Sequence, residues 1–275
     1  MNRKEIQVFD HILERTDFKD CAGKINISIF ESEVRSWVPY FVYLPPNWNK
    51  EETYPLVLFL HGQGGDEGTF NKYVQAEQLN KWILSGDIEP VVIAGIRGDN
   101  NRDNVQWFTE ENESLLIQEK GGEFLQFCQN SFNAGNQGTR ISIEGHSRGA
   151  AGAIHYYLKY PNLFSSILAM GYVSDYTLDN NFLQGRNNLA MIKREATPLR
   201  LEIGTEDSFV RMKNRRASFE IHQFLRENSI DHSFEILHGV EHGFDTYWNY
   251  YSEEDMLNGL AHLKFHERSR NRNCR

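Results

Sequence analysis

Three side chains that follow one another in the order serine, aspartate, histidine have the chemistry needed for nucleophilic catalysis. Ser147 lies in Gly145-His146-Ser147-Arg148-Gly149, which matches the pattern G-x-S-x-G. A serine hydroxyl is a weak nucleophile at neutral pH and needs a histidine to take its proton as it attacks. A buried carboxylate then fixes the tautomer of that histidine and stabilises the imidazolium. We therefore expect a histidine and an acidic residue to lie beside Ser147 in the fold.

The residues around Ser147 predict a strand, a tight turn and a helix. Residues 141–144 carry alternating β-branched residues, as a buried strand does, and residues 151–159 are good helix formers. In this context G-x-S-x-G indicates a nucleophile, because the strained turn lifts the serine hydroxyl clear of the sheet. The flanking glycines remove Cβ atoms that would collide there. The alternative is a tight turn with an inactive serine.

Of the ten histidines, His242 fits the role of base best. It lies in a glycine-flanked loop after the last predicted strand, which is where the chain order Ser, Asp, His places the base. The alternative for His242 is a surface loop residue. We expect His238 at the end of that strand, and His61 and His146 in turns as structural hydrogen-bonding residues.

Asp207 is the preferred acid because it closes the segment Gly204-Thr205-Glu206-Asp207 after the penultimate predicted strand. Glu206 is adjacent and chemically able to replace it. Asp175 and Asp179, which follow the preceding strand, are more remote alternatives. A single aspartate in a loop is usually a cap or turn residue, so the prediction depends on its agreement with the other two residues.

The tetrahedral intermediate of acyl transfer needs backbone N–H groups aimed at its oxyanion. Arg148, at the start of the predicted helix, is expected to supply one such amide. The loop His61-Gly-Gln-Gly-Gly, directly after a predicted strand, is expected to supply another, from Gln63 or, as second choice, Gly62. The alternative for this loop is a flexible glycine turn without function.

Strands and helices alternate over the later two thirds of the chain, which predicts an α/β fold with a mostly parallel sheet and helices on both faces. The first two strands alternate apolar and polar residues and predict a half-exposed antiparallel edge. The serine, the aspartate and the two loop histidines at 61 and 242 each follow a strand and are expected on one rim of the sheet. The predicted strands are 24–30, 38–44, 56–60, 91–96, 141–144, 166–170, 199–203 and 233–237, and the predicted helices are 70–84, 114–132, 151–159, 212–227 and 250–267. Residues 97–107 are predicted to form a polar loop, and 171–198 are predicted to be irregular or short-helical.

Length and composition favour one globular domain over residues 21–268, with a charged helical lead-in over 1–20 and a basic tail over 269–275. A net charge of −9 argues against nucleic acid or an anionic membrane as partner. The three cysteines are far apart, which predicts neither disulfides nor a metal site. No secretory signal and no bilayer-spanning run is recognisable, so a cytoplasmic location is expected. We expect no cofactor, and the sequence does not reveal the oligomeric state.

The segments LFLHGQGGDE, IEGHSRGAAGA, GTED and EHGFDTYW together resemble the esterase D / putative esterase family of α/β-hydrolases. This family includes feruloyl and acetylxylan esterases, S-formylglutathione hydrolases, siderophore esterases and mycolyl transferases. The resemblance covers residues 25–265 and implies the α/β-hydrolase fold and hydrolysis of carboxylic esters through an acyl-enzyme. It also implies a triad of Ser147, Asp207 and His242, with oxyanion amides at Gln63 and Arg148.

Two residues depart from the pattern of that family. Arg148 stands where the family often has Met or Gln, and Ala150 stands where another glycine is usual. Two interpretations of Arg148 stay open: a salt-bridged structural residue, which we favour, or a cation that faces an acidic group of the substrate.

The segment between the Met170 strand and Pro198 is too short for a large lid of several helices. An open cleft for small or medium acyl esters, and hence a small-molecule ester as partner, is the resulting hypothesis. Aromatic residues in or near the rim loops could form its walls, although such residues more often serve packing. They are Trp107, Phe108, Tyr172, Phe209, Phe244, Tyr247 and Trp248.

Other functions remain open at the level of sequence. A thioesterase of the S-formylglutathione hydrolase type or an acyltransferase would use the same residues. A hydrolase fold that only binds ligands would also keep them. His238 to His242 matches the zinc-peptidase pattern H-x-x-E-H, which needs a helix to bring both histidines onto one face. Gly239 and Gly243 argue against that helix.

Overall fold

The computed structural model describes residues 18–99, 105–117, 122–136, 138–174, 178–209, 216–251 and 256–268. Of the predicted lead-in only its last residues lie in these ranges, where Phe18–Cys21 forms a short 3₁₀ helix. The basic tail 269–275 and the middle of the predicted polar loop, residues 100–104, lie outside them.

A mostly parallel sheet with an antiparallel N-terminal edge organises the described part of the chain, as predicted. Its strand order is β1-β2-β4-β3-β5-β6-β8-β10. β2 pairs antiparallel with β1 and β4, whereas all other pairs in this sheet are parallel. β7 and β9 form a separate antiparallel pair. The strands are β1 Ile25–Ser32, β2 Ser36–Tyr43, β3 Leu56–Leu60, β4 Val92–Ile96, β5 Ile141–His146, β6 Ser166–Met170, β7 Val173–Ser174, β8 Leu199–Gly204, β9 Arg216–Ala217 and β10 Ser233–Leu237.

The two faces of the sheet are both covered, as successive side chains of β3 illustrate. Leu56, Leu58 and Leu60 belong to one core cluster, and Val57 and Phe59 belong to the other. The helices lie on both faces for this reason. They are α1 Thr69–Tyr73, α2 Ala76–Leu84, α3 Glu110–Leu116, α4 Glu123–Phe132, α5 Arg148–Lys159, α6 Leu178–Asn187, α7 Leu189–Glu195, α8 Ser218–Glu227, α9 Phe244–Trp248 and α10 Asn258–Arg268.

Strand β2 is more buried than the alternating pattern predicted. Val38, Tyr40 and Val42 pack into one core cluster while Phe41 and Tyr43 pack into the other. The strand lies between β1 and β4, and core residues cover both of its faces. The prediction of a half-exposed β2 is therefore wrong, because Tyr residues counted as polar are buried here.

Several predicted helices have different limits. The helix predicted over 70–84 is broken at Val74, whose backbone is extended and whose side chain is buried in the core. The single helix predicted over 114–132 is two, α3 and α4. The segment 171–198, predicted to be irregular or short-helical, contains the short helices α6 and α7, in agreement with the prediction. Asn188 joins these two helices and donates from Nδ2 to the carbonyl of Leu158, which ties them to the end of α5.

The C-terminal helix also starts later than predicted. Asn258, fully buried, opens α10 and donates from Nδ2 to the carbonyl of Tyr247 and to Glu202. These hydrogen bonds to distant residues fix where the helix starts. The sequence alone does not reveal them. The short helix α9 precedes α10 and was not predicted. Within the ranges described above, no helix is long and apolar enough to cross a membrane.

Candidate active site

Ser147 is the single residue between β5 and α5. Its backbone angles are φ 58° and ψ −117°, an uncommon conformation for a residue other than glycine. The Ser147 N–H donates to the carbonyl of Met170 at 2.9 Å, and the Ser147 carbonyl accepts from the N–H of Ala151 at 3.1 Å. These bonds hold the strained turn, which turns the serine side chain toward the carboxyl rim of the sheet.

Glycines next to the turn allow α5 to lie close against the sheet. A Cβ atom on Gly149 would come within 1.9 Å of the carbonyl oxygen of Leu60. A Cβ atom on Gly145 would come within 2.3 Å of the carbonyl of Gly149. Neither position has room for a side chain, so the glycines of the motif are required by the close approach of helix and strands.

The structure brings together the three residues predicted as nucleophile, base and acid. His242, in the loop between β10 and α9, has its Nε2 2.9 Å from Ser147 Oγ. Its Nδ1 lies 2.7 Å from Oδ2 of Asp207, which lies in the loop that follows β8. An imidazole that donates from Nδ1 to a carboxylate leaves Nε2 free to accept the serine proton. The two contacts hold the imidazole in one tautomer, the one that a general base toward the serine would need.

Asp207 is buried and has three hydrogen-bond donors. Besides His242, the hydroxyl of Tyr247 donates to Oδ2 at 2.8 Å, and the N–H of Phe209 donates to Oδ1 at 3.0 Å. Burial alone would raise the pKa of Asp207, but these donors and the His242 charge lower it below its usual value. The carboxylate is therefore ionised.

Of the alternatives to Asp207, Glu206 is the one whose side chain lies among the described residues. Glu206 is exposed at the surface. Asp175 and the side chain of Asp179 lie outside the described residues. No local sequence pattern indicates that Tyr247 contacts Asp207, because the two residues are 40 positions apart in the chain.

The loop after β3 carries the predicted oxyanion amides Gln63 and Gly62. The carbonyl of Gly62 accepts from His61 Nδ1 at 2.8 Å and from the N–H of Gly65 at 3.1 Å. Because the peptide is planar and trans, the N–H of Gln63 points opposite to that fixed carbonyl. Arg148 is the first residue of α5, the position at which a helix directs its backbone N–H groups outward from its start. Gly62, Gln63 and Arg148 line the same cleft as Ser147.

His61 holds this loop from behind. Its Nδ1 donates to Gly62 as described, so its Nε2 is the acceptor for the N–H of Gly98 at 3.0 Å. Burial lowers the pKa of His61 to about 4, which keeps the ring neutral. The Trp107 indole N–H donates to the His61 carbonyl at 2.9 Å. Trp107 thus serves packing behind the loop and is not a cleft wall.

A cleft of about 820 Å³ opens above Ser147. Of the aromatic residues considered from the sequence, Phe209 and Phe244 line it, whereas Tyr172, Tyr247 and Trp248 are buried. The lining residues are Gly62, Gln63, Gly64, Gly65, Asp66, Gly68, Thr69, Lys72, Tyr73, His146, Ser147, Arg148, Val173, Phe209, His242, Gly243, Phe244 and Asp245. Tyr73 is also a lining residue and is the last residue of α1. The sequence did not reveal that a helix ends there.

The zinc-peptidase pattern at His238 to His242 does not form the helix that such a site needs. Residues 238–243 form a turn and not a helix, so His238 and His242 do not share a helical face as the zinc-peptidase pattern requires. No cluster of three or more His, Cys, Asp or Glu suited to a metal occurs among the residues described.

A second serine contacts a histidine in the core. Ser166 Oγ contacts His266 Nδ1 at 2.8 Å, and His266 Nε2 lies 3.3 Å from Glu144. Ser166 is completely buried, so this second serine–histidine–glutamate chain is part of the core.

Comparison with known proteins places the chain in a family. The model of the family described as "Putative esterase" matches residues 33–255, most of the chain. The chain belongs to this esterase family. Membership makes it a carboxylic ester hydrolase, a serine hydrolase on the α/β-hydrolase fold, in agreement with the sequence prediction.

Solved structures similar to this esterase share its fold. A ferulic acid esterase superposes with a TM-score of 0.64 at 18% identity over 87% of this chain and 98% of its own. An S-formylglutathione hydrolase from Agrobacterium tumefaciens gives 0.63 at 18% identity over 89% and 95%. The feruloyl esterase module from Clostridium thermocellum gives 0.61 at 15% identity over 80% and 82%.

Proposed function

We propose that the esterase hydrolyses small or medium acyl esters through an acyl-enzyme, with Ser147 as nucleophile, His242 as base and Asp207 as acid. The observation that carries the proposal is the pair of bonds made by one imidazole, 2.9 Å to Ser147 Oγ and 2.7 Å to Asp207 Oδ2. A serine, a histidine and a buried carboxylate in this order have the geometry of a triad.

In the first step Ser147 Oγ attacks the carbonyl carbon of the ester while His242 Nε2 takes the serine proton. The imidazolium that forms keeps its Nδ1–H on the ionised Asp207, which stabilises the positive charge. The carbonyl oxygen becomes an oxyanion, and the amides of Gln63 and Arg148 are the proposed donors to it. Gly62 is the second choice in the loop.

The tetrahedral intermediate then expels the alcohol, which takes the proton from His242 Nε2 and leaves the acyl group on Ser147. A water molecule, activated by the same imidazole, attacks the acyl carbon and releases the carboxylic acid. The proton that His242 takes from this water passes to Ser147 Oγ as the acyl bond breaks, so the free serine and the neutral imidazole are both restored.

The cleft supports substrates with an accessible ester group. Its volume of about 820 Å³ lies within the range of small-molecule sites, and its lining combines the aromatic rings of Tyr73, Phe209 and Phe244 with charged Lys72 and Asp245. Helix α6 packs against α5 and α7 packs against α6, and no described side chain of either helix is among the lining residues. An ester with an apolar and a polar part fits such walls.

Turnover of a substrate panel tests the proposal. The panel contains p-nitrophenyl acetate, p-nitrophenyl butyrate, methyl ferulate and S-formylglutathione, each with wild type and Ser147→Ala. We expect at least about a thousandfold loss of kcat in Ser147→Ala and a similar loss in His242→Ala. A serine-directed fluorophosphonate is expected to label Ser147, as read by mass spectrometry of the peptides.

Ser166→Ala is the matched control, because Ser166 also contacts a histidine but is buried in the core. It is expected to keep wild-type kcat. Turnover that survives Ser147→Ala, or a wild type without turnover on any ester of the panel, contradicts the proposal. Preference for the thioester over the oxygen esters would identify a thioesterase, and product esters formed with added alcohol would identify an acyltransferase.

A further inference from the structure

We propose that Tyr247 is a positioning residue that aims Asp207 Oδ2 at His242 and limits how strongly that carboxylate supports the imidazolium. This inference rests on the proposed function of Ser147, Asp207 and His242. Tyr247 touches neither the cleft nor the reacting atoms, so its effect passes through Asp207.

A continuous chain of hydrogen bonds leads from the sheet to the base. The N–H of Gly204, the last residue of β8, donates to the Tyr247 hydroxyl at 2.9 Å. That hydroxyl therefore donates its own proton to Asp207 Oδ2 at 2.8 Å. The same oxygen accepts the Nδ1–H of His242 at 2.7 Å. Two donors thus share one carboxylate oxygen, and the direction of each bond is fixed by its neighbour.

Tyr247 has no freedom to leave this position. Its side chain is completely buried, and its carbonyl accepts from Asn258 Nδ2 at 2.9 Å. Asn258 Nδ2 also donates to Glu202 in the core at 3.1 Å, so the start of α10 fixes α9. On the other side Gly171 fits closely, since a Cβ atom there would lie 2.9 Å from the tyrosine oxygen and 3.0 Å from Asp207 Oδ2. The hydroxyl is held at the carboxylate from all sides.

The shared oxygen has a consequence for the base. A proton donated by Tyr247 withdraws negative charge from Oδ2, which makes the carboxylate a weaker partner for the positive form of His242. Without the hydroxyl, the full charge would face the imidazole and favour its protonation. Asp207 would also lose one of the bonds that set its orientation. The other titratable groups close to these rings are His146, which lies against His242 and Tyr247, and Glu202.

Tyr247→Phe tests the proposal, because it removes the hydroxyl and keeps the ring. On p-nitrophenyl acetate we expect kcat to fall about tenfold, as for the loss of one bond to a charged group, with KM within about twofold. The midpoint of the acid limb of the kcat/KM–pH profile, which reports deprotonation of His242, is expected to move to higher pH by some tenths of a unit. Tyr43→Phe is the matched control: Tyr43 is equally buried and donates to Asn80 Oδ1 at 2.9 Å, away from the cleft.

A second variant separates electronic from structural effects. Tyr247→3-fluorotyrosine keeps the hydroxyl and the packing but makes the phenol a stronger donor, so the midpoint is expected to move to lower pH, opposite to Tyr247→Phe. Because this variant preserves the hydroxyl and its hydrogen bonds, it also tests the inference should Tyr247→Phe not fold. Equal midpoints in wild type and the position-247 variants, or the same change in Tyr43→Phe, overturn the inference. If the inference about Tyr247 fails while Ser147→Ala is inactive, the proposed function still holds. An active Ser147→Ala would contradict the proposed function and the inference about Tyr247 together.

Discussion

The rings of His146 and His242 lie against each other with centroids 4.8 Å apart and an interplanar angle of 40°. His146 directly precedes Ser147, so the strand that presents the nucleophile also supports the base. Burial, and next the charge of His242, lowers the pKa of His146 to about 3. His146 is therefore neutral at the moment when His242 takes a proton, and it offers a ring surface without a competing charge.

Replacement of His146 tests whether its ring supports His242. His146→Phe keeps a neutral ring of similar shape, so kcat is expected to stay within about threefold of wild type. His146→Ala removes the surface on which His242 lies, and a loosely held base is expected to lower kcat about tenfold or more. Steady-state kinetics on p-nitrophenyl acetate, with thermal unfolding to check folding, measure both. Full activity of His146→Ala would show that the contact has no role in positioning the base.

Neutralising the acid is expected to lower activity strongly without disturbing the fold. Asp207→Asn keeps the shape but offers His242 an amide, which favours the wrong tautomer of the imidazole, so kcat should fall about a thousandfold or more. The adjacent and exposed Glu206 provides the control. Glu206→Gln is expected to retain wild-type kcat. The opposite ranking of the two variants would transfer the role of acid to Glu206.

Local patterns were sufficient to predict the parts of this site that depend on short segments. The turn at Ser147 is encoded by its glycines and by the switch from strand to helix around it. The positions of Asp207 and His242 follow from chain order, because residues just after parallel strands meet at one edge of the sheet. The strands β3, β4, β5, β6, β8 and β10 were predicted well, since each is a short apolar run between polar loops. The two-residue strands β7 and β9 were not predicted, and β9 lies within the helix predicted over 212–227.

The features that escaped prediction depend on contacts between distant segments. Val74 breaks a helical pattern because its side chain is drawn into the core. Asn258 begins α10 where its amide meets Tyr247 and Glu202, a relation that no local pattern contains. The same holds for the bond from Tyr247 to Asp207. Charge and periodicity mark a tyrosine as a packing residue and do not indicate which carboxylate it reaches.

The close approach of α5 and β3 makes a stability prediction. Gly149→Ala would place a methyl group 1.9 Å from the Leu60 carbonyl oxygen, so either helix or strand must shift. We expect the free energy of unfolding to fall by about 3 kcal/mol or more, as for overpacking against rigid backbone. Urea unfolding followed by circular dichroism measures the change, and the shift should also reduce activity because Ser147 opens the same helix.

Gly86→Ala is the control for Gly149→Ala. Gly86 has φ +77° and nothing within 4 Å of an added Cβ, so only conformational strain of about 1 kcal/mol is expected there. A Gly149→Ala variant no less stable than Gly86→Ala would show that helix and strand have room to separate.

Glu202 is completely buried in the sheet, and we expect it to make the free energy of unfolding depend on pH. Arg200 Nη2 lies 2.6 Å from it, and His262 Nε2 lies 3.0 Å from it. Burial alone would raise the pKa of Glu202, but His262, Arg200 and the Asn258 amide outweigh burial and lower it to about 2 from 4.5. A carboxyl group whose pKa is lower in the folded state contributes stability above its unfolded pKa, and that contribution is lost as pH falls through the folded value. This difference corresponds to about 3 kcal/mol, lost between about pH 4.5 and pH 2.

Glu202→Gln should therefore be less stable than wild type by about 3 kcal/mol at pH 7, since the change leaves Arg200 and His262 without their carboxylate. This difference in the free energy of unfolding should decrease as pH falls below about 4.5, because wild type loses the contribution of the Glu202 carboxylate there. Urea unfolding at a series of pH values measures both curves. Ile203→Val, a buried change on the same strand that keeps the carboxylate, is expected to lower stability by about 1 kcal/mol equally at every pH. A Glu202→Gln curve parallel to wild type down to pH 2 would show that Glu202 has the same pKa in the folded and the unfolded protein.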